Sequence, residues 1–271
     1  MKETDVTSAF RSVDTLSDID YVVHFLDRAG QNPSVKDCKR YMEAQMHIRP
    51  GDRILDFGCG TGNDVRRLAE LTGNKGLVTG IDISKKLIEI ARSRHSETDL
   101  PITFTVASAD ELPFEDASFD ICRAERLLMH VADPAKVIDE MLRVTRPGGR
   151  IVIFDIAFDA TATYHTNREF TRRIIRYVSD NIANGWIGSH LGMLLKTRRA
   201  EDVKVIPHTL TPDYEFLKFI ISPVLTTAVE NGIFKQQEID HWWAELAKAQ
   251  QQDYFLYTFQ GFIVSGKKAG R

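Results

Sequence analysis

The stretch Leu55-Asp56-Phe57-Gly58-Cys59-Gly60-Thr61-Gly62, followed by the lone acid of Gly80-Ile81-Asp82-Ile83, decides the fold. Arg53 to Asp56 reads as a short buried strand. Val65, Leu68 and Ala69 then recur at helical spacing after Asn63, so the glycines occupy a strand-to-helix turn. Glycine is needed where the main chain turns tightly and touches a ligand, because a Cβ blocks one or both. Asp82 stands at the end of the next strand, where a carboxylate accepts hydrogen bonds from both hydroxyls of a ribose. The pattern therefore predicts an α/β fold with a nucleotide-like ligand at its first turn.

The glycine spacing separates ligand classes. Gly58-x-Gly60-x-Gly62 is not G-x-G-x-x-G, whose third glycine comes one position later and seats a pyrophosphate on the helix N-terminus. Asp56, just before the first glycine, repels a diphosphate and suits a ligand bearing an ammonium group. S-adenosylmethionine combines that group with a ribose and an adenine. A nicotinamide dehydrogenase would use the same sheet and ribose acid but wants the later glycine.

Four blocks in order extend this reading. Pro50-Gly51-Asp52-Arg53 leads into the first strand; Ala107-Ser108-Ala109-Asp110-Glu111-Leu112-Pro113-Phe114 follows the third; Phe119 to Arg126 covers the fourth strand and the turn beyond it. Asp133-Pro134, Glu140, Arg143-Val144 and Arg146-Pro147-Gly148-Gly149-Arg150 cover the fourth helix and the entry to the fifth strand. Over about residues 50–158 the chain resembles class I S-adenosylmethionine-dependent methyltransferases, in particular the small-molecule branch that includes ubiquinone and menaquinone C-methyltransferases. The resemblance implies a doubly wound, Rossmann-like, seven-stranded sheet with an antiparallel last strand, and S-adenosyl-L-methionine as cofactor with S-adenosyl-L-homocysteine as product. It implies cofactor contacts at Asp56, Gly58, Gly60, Asp82, Ile83, Ala109, Asp110 and Arg123, with Asp110 meeting the adenine amino group. The same loop also suits a methyltransferase-like protein with a regulatory or non-methylating role.

Bulk properties agree with a single enzyme domain over 1–271. With 271 residues the chain can bury a sizeable core, and its net charge of −3 supplies no excess of positive charge for a nucleic acid partner. Cys38, Cys59 and Cys122 are scattered and odd in number, which fits a reducing, cytoplasmic setting and gives no metal spacing. Acids among the first twenty residues argue against a signal peptide, and no apolar run approaches the roughly 20 residues of a membrane span. The expected partner is a small, partly apolar molecule; the oligomeric state is not legible.

Helical patterns at 19–29 and 33–46 are expected to cover the cofactor as part of an N-terminal segment, 1–49. Strands are expected at 53–57, 77–82, 102–107, 119–124 and 149–156, with helices at 63–73, 84–95 and 134–145, and Ser84 as an N-cap. Within 159–271, further helices read at 165–182 and 188–199, a sixth strand at 202–209 and an edge-paired closing strand at 254–265. Helical insertions at about 160–195 and 212–250 are expected to cap the substrate, with Trp186, Trp242, Trp243, Phe216, Phe219, Phe234, Tyr254 and Phe255 as candidate pocket residues, although most such aromatics serve packing.

His130, after the fourth strand, is the candidate catalytic residue, since an imidazole titrates near neutrality and can take a proton from an acceptor. Asp155, at the end of the fifth strand, reads equally as a base and as a carboxylate held by main-chain donors. Cys59 reads as a small residue in a tight turn. Arg168, Arg172, Arg173 and Arg176 read as a solvated face or an anion site, and Arg40 as a candidate for the cofactor's carboxylate. Asn184-Gly185-Trp186-Ile187-Gly188 is similar to a segment of some small-molecule methyltransferases.

Overall fold

A computed structural model describes residue 10, residues 13–15 and residues 19–270. Two helices come first, α1 (Asp20–Gln31) and α2 (Pro33–Met46), followed by the alternating run β1 (Arg53–Phe57), α3 (Asn63–Thr72), β2 (Leu77–Asp82), α4 (Lys85–Arg94), β3 (Ile102–Val106), β4 (Phe119–Glu125), α5 (Pro134–Val144) and β5 (Thr145–Thr163). The remainder is α6 (Arg168–Asp180), α7 (Ile187–Thr197), β6 (Glu201–Leu210), α8 (Tyr214–Glu230), α9 (Gln236–Gln251) and β7 (Tyr257–Lys267).

The seven strands form one sheet in the order β3-β2-β1-β4-β5-β7-β6. β1 pairs in parallel with both β2 and β4, so the strand order reverses at β1 and opens a crevice above the carboxyl ends of β1 and β4. The central strands are covered on both faces and read as nearly continuous apolar runs; Ile54, Leu55 and Phe57 are fully buried. Each such side chain contributes on the order of 2 kcal/mol.

Helix starts follow local chemistry. The Asn32 side chain accepts from the amides of Ser34 and Val35, with Pro33 at the first helical position; Ser84 accepts from Leu87 N at 3.1 Å, as expected, and Asp133 accepts from Ala135 and Lys136 ahead of Pro134.

Four expectations need correction. β7 is antiparallel as expected, but it lies between β5 and β6, pairing with both, and β6 is the edge. β6 carries Pro207, a residue tolerated on an edge strand because it has no N–H to donate. β5 runs from Thr145 to Thr163, well past the expected 149–156, because both its ends find partners on β7 or in the chain following it. Of the two N-terminal helices only α1 takes a covering position; α2 packs across β5, β6 and β7.

The 160–195 segment likewise forms mostly a flanking layer. α6 and α7 pack on β5, and α7 also on β6 and β7. Gly188 makes this possible, since a Cβ there would sit 2.5 Å from the Asp155 carbonyl oxygen. Among the described residues no helix is long and apolar enough to cross a membrane.

Candidate active site

A cavity of about 550 Å³ opens at the strand-order reversal, above the carboxyl ends of β1, β2 and β4. Its floor is the glycine loop. Gly58 and Gly60 take φ values of +67° and +54°, and a Cβ on them would meet Leu127 at 2.9 Å and Leu26 at 3.1 Å. Gly62 (φ +81°) faces away, where a Cβ would strike the Phe104 ring at 2.7 Å, so the third glycine serves the turn and its packing. Gly80 lets Cys59 lie against β2, since a Cβ there would be 2.8 Å from Cys59 Sγ. Burial first, then Asp56 and Asp82, push the Cys59 thiol well up, which leaves a packed thiol and no nucleophile.

Asp82 is fixed by the main chain: Oδ2 accepts from Gly60 N at 3.0 Å and Oδ1 from Ser84 N at 2.9 Å. Burial raises its pKa, with these amides opposing. Ile83, 61% exposed, forms an apolar lip beside it. Past β3, Ser108, Ala109 and Asp110 complete that side, with the Ser108 hydroxyl donating to Asp110 and lowering its pKa. Glu140 accepts from Leu112 N at 2.8 Å while Arg143 donates to the Phe114 carbonyl at 2.7 Å, so the matched acid and arginine of α5 hold the loop that carries Asp110.

Gly58, Gly60, Asp82, Ile83, Ala109, Asp110 and His130 thus line one cavity. Asp56 and Arg123 do not. Asp56 is 2% exposed beneath the loop, with Oδ1 3.0 Å from Arg123 Nη1. Burial pushes Asp56 up to about 7, with Arg123 opposing. Arg123 Nη1 also reaches Asp64 at 3.2 Å and its Nη2 reaches Glu125 Oε2 at 2.6 Å. Lys39 on α2 lies 2.5 Å from Asp64 and 3.6 Å from Glu125, and Arg126 Nη2 lies 3.1 Å from Glu125 Oε1. Three acids and three bases form a chain from α2 to the cavity, and only Glu125 and Arg126 of the six line it. Sequence reasoning passed over both, although the Glu-Arg pair closing β4 at the switch point was a usable signal.

The far wall is the turn 127–132. Asp155 does not face the cavity as a base; its Oδ2 accepts from Leu128 N at 2.8 Å, and burial pushes its pKa up to about 7 against the amides of Leu128 and Met129. Asn184 donates to the carbonyls of Leu128 and Val131, which gives the Asn184–Gly188 segment its role. His130 tops this turn, its ring 5.0 Å from Phe10.

Behind His130 lies a smaller chamber of about 60 Å³, walled largely by apolar groups that include Phe10, Phe25, Met129, Phe158, Phe216, Ile220 and Phe259. Of the eight aromatic residues proposed from the sequence, Phe216 alone is among those walls. Trp242 and Trp243 pack in the core, Phe234 packs on Phe170 and Tyr177, and Trp186 and Tyr254 are exposed. Arg40 pairs with Asp37 on the surface; Arg173 lies over Phe170 and Phe234, and Arg176 pairs with Asp180, all away from the cavity.

The fold and this crevice define a doubly wound protein that binds a nucleoside-like ligand at its switch point. The chain belongs to the methyltransferase-domain family, whose model matches residues 48–248. It is 37% identical over 166 residues to the 27-O-demethylrifamycin SV methyltransferase of Amycolatopsis mediterranei, covering 60% of each chain. It is 30% identical over 222 residues to methyltransferase GfsG of Streptomyces halstedii, covering 79% of this chain and 76% of that one. Its fold matches the crystal structure of the 4+2 cyclase SpnF with a TM-score of 0.61 and 17% identity, over 99% and 98% of the two chains. The chain spans about half the length of several curated relatives it matches.

Proposed function

We propose that this protein transfers a methyl group from S-adenosyl-L-methionine to a small, partly apolar acceptor. The observation that carries the reading is adjacency: the cavity of Gly58, Gly60 and Asp82 shares the walls Phe10, Phe25, Arg126, Met129 and His130 with an apolar chamber. The cradle fits the cofactor because any Cβ at Gly58 or Gly60 would fill it or collide with its walls. The relative named for methylating 27-O-demethylrifamycin SV supports the same class of acceptor.

Asp82 takes the ribose hydroxyls, Ile83 lies against the adenine, and Asp110 with the Ala109 main chain takes the adenine edge. The bound cofactor supplies an activated methyl group on a sulfonium. The chain supplies alignment and a dry site, which for such a displacement is a large part of the catalysis. Phe10, Phe25 and Leu26 roof the cavity and exclude water. His130, at the mouth of the apolar chamber, accepts the acceptor's proton when the acceptor is a hydroxyl or an amine.

Incubation with methyl-labelled cofactor and a metabolite extract tests the reading: a labelled small molecule is the expected product. Binding of the cofactor with no transfer would favour a non-methylating role, for which the cyclase on the same fold is the precedent. Uptake of NAD without S-adenosylhomocysteine binding would overturn the cofactor assignment. His130→Ala is expected to lower turnover at least about tenfold, the lower end of a general-base contribution with a margin.

A further inference from the structure

The larger cavity and the apolar chamber share five walls, Phe10, Phe25, Arg126, Met129 and His130. The chamber, at about 60 Å³, has room for an apolar group of roughly two waters' volume. An acceptor that reaches into it therefore keeps most of its body in the larger cavity and lies alongside Arg126 and His130.

Few other polar groups are placed to read such a molecule. The chamber's remaining polar walls are Asn32 and Ser34, and both are committed to the chain. Asn32 Oδ1 accepts from Ser34 N at 2.9 Å and from Ser34 Oγ at 2.6 Å, while its Nδ2 donates to the Thr211 carbonyl at 3.2 Å. Ser34 Oγ in turn accepts from Thr211 N at 2.9 Å. Among the described residues Arg126 is the one arginine or lysine lining the cavity or the chamber, and no carboxylate lines the chamber.

Arg126 has donor capacity in reserve. Its Nη2 lies 3.1 Å from Glu125 Oε1, but Glu125 also meets Arg123 at 2.6 Å and Lys39 at 3.6 Å, so that acid is neutralised without it. The buried Nε of Arg126 donates to nothing among the described residues. A guanidinium has five N–H donors and no acceptor, and a buried donor left unpaired is costly until an oxygen meets it. The backbone points the same way. Arg126 holds φ at +54°, in the left-handed region that a long side chain seldom adopts, fixed by its amide's bond to the Phe154 carbonyl at 2.7 Å. Such strain persists where a side chain has to be aimed.

We propose that Arg126 is a specificity-determining residue that reads a carboxylate on the methyl acceptor. The acceptor class is then an organic acid with an apolar body: its charge meets the guanidinium, an apolar end enters the chamber, and the nucleophile faces His130. This deepens the methyl-transfer reading of the site and rests on it.

2-Naphthoate and 2-naphthamide share an apolar ring system and differ in one negative charge, which makes them suitable probes. Titrated calorimetrically into protein saturated with S-adenosylhomocysteine, naphthoate is expected to bind at least about tenfold tighter than naphthamide, the scale of a hydrogen bond to a charged group. Arg126→Gln should bring the two probes within twofold of each other and leave S-adenosylhomocysteine affinity within threefold. Arg126→Gly removes the side chain and relieves the left-handed strain, and it should give the same result if the glutamine variant folds poorly. Equal binding of the probes by the unaltered protein, no binding of either, or a preference that survives in the variants would overturn the proposal. So would a tenfold loss of S-adenosylhomocysteine affinity in the variants, which would place the guanidinium on the cofactor. Failure of the unaltered protein to bind S-adenosylhomocysteine at all would instead overturn the cofactor reading beneath it.

Discussion

Asn184 reaches back 53 residues to Val131: its side-chain amide donates to the Val131 carbonyl at 2.8 Å and, with its second hydrogen, to the Leu128 carbonyl at 2.9 Å. Its own N–H donates to the Met129 carbonyl at 3.1 Å. Three bonds from one residue therefore fix the turn that carries His130. Asn184→Ala removes two of them and strands two carbonyls, a cost of about 2–3 kcal/mol. Turnover should fall at least tenfold while S-adenosylhomocysteine affinity stays within threefold, measured by initial rates and calorimetry on the same preparation. Equal losses in both would place Asn184 in general folding instead.

The glycines of the loop should divide by role. Gly60→Ala introduces a Cβ 3.1 Å from Leu26 and forces φ +54° on a residue that dislikes it, at the floor of the cavity. Gly62→Ala places its Cβ 2.7 Å from the Phe104 ring, inside the core. Overpacking and left-handed strain each cost about 1–3 kcal/mol. Melting curves should show the larger loss for Gly62→Ala, and ligand titration the larger loss for Gly60→Ala.

The part of this arrangement legible in the sequence is the local part. The turn 58–62, Asp82 and Asp110 are announced by neighbours within a few positions, because strand, turn and helix signals are short-range. Beyond the adjacent Glu125 and Arg126, the pairing of Lys39, Asp56, Asp64 and Arg123 with them was not legible, since these residues come from α2, β1, α3, β4 and the turn after it and meet through strand order. The chamber failed for the same reason: Phe10, Phe158 and Phe259 carry no pattern of their own, and the conspicuous tryptophans of α9 were committed to packing. The place of β7 between β5 and β6 depends on sheet pairing over more than 100 residues, which periodicity does not report.

The roof over the cavity is latched by charge. Asp27 on α1 forms a two-pronged pair with Arg94 on α4 at 2.7 and 2.8 Å, and the carboxylate of Asp14 accepts from the amides of Lys85 and Lys86 at the start of the same helix. The Asp27–Arg94 pair is only partly buried, worth at most about 1 kcal/mol and screened by salt. Arg94→Ala should therefore raise the dissociation rate of S-adenosylhomocysteine by no more than about fivefold, an effect that shrinks at high ionic strength in stopped-flow displacement. A salt-independent change would mean that the apolar roof, Leu26 and Phe25, carries the closure.

Cys59 provides a control beside the ligand. Its thiol packs against Gly80 and its pKa is pushed well up, so alkylation should be slow and Cys59→Ala should leave turnover within twofold. Rapid modification by iodoacetamide at neutral pH, with matching loss of activity, would contradict this placement.

Asp155 makes stability depend on pH with a definite sign. It is wholly buried, its Oδ2 serves the Leu128 amide, and Oδ1 takes no hydrogen bond among the described residues, so the neutral acid suits the site better than the carboxylate. Burial raises its pKa from 3.8 to about 7. Between those values the folded chain holds a proton that the unfolded chain has released, so unfolding free energy falls as pH rises through that window and levels off above it. The full effect is at most about 4 kcal/mol. Asp56, also pushed up to about 7 by burial, acts with the same sign, and His165, whose pKa burial lowers, acts with the opposite sign below its usual range. The difference between the protein and Asp155→Asn isolates one residue from these. Asparagine presents an oxygen to the Leu128 amide and an uncharged group opposite, mimicking the protonated acid. Denaturant melts at pH 5 and pH 8 should therefore show Asp155→Asn gaining on the unaltered protein as pH rises; a gap that stays constant would mean that Asp155 is ionised in the folded state throughout.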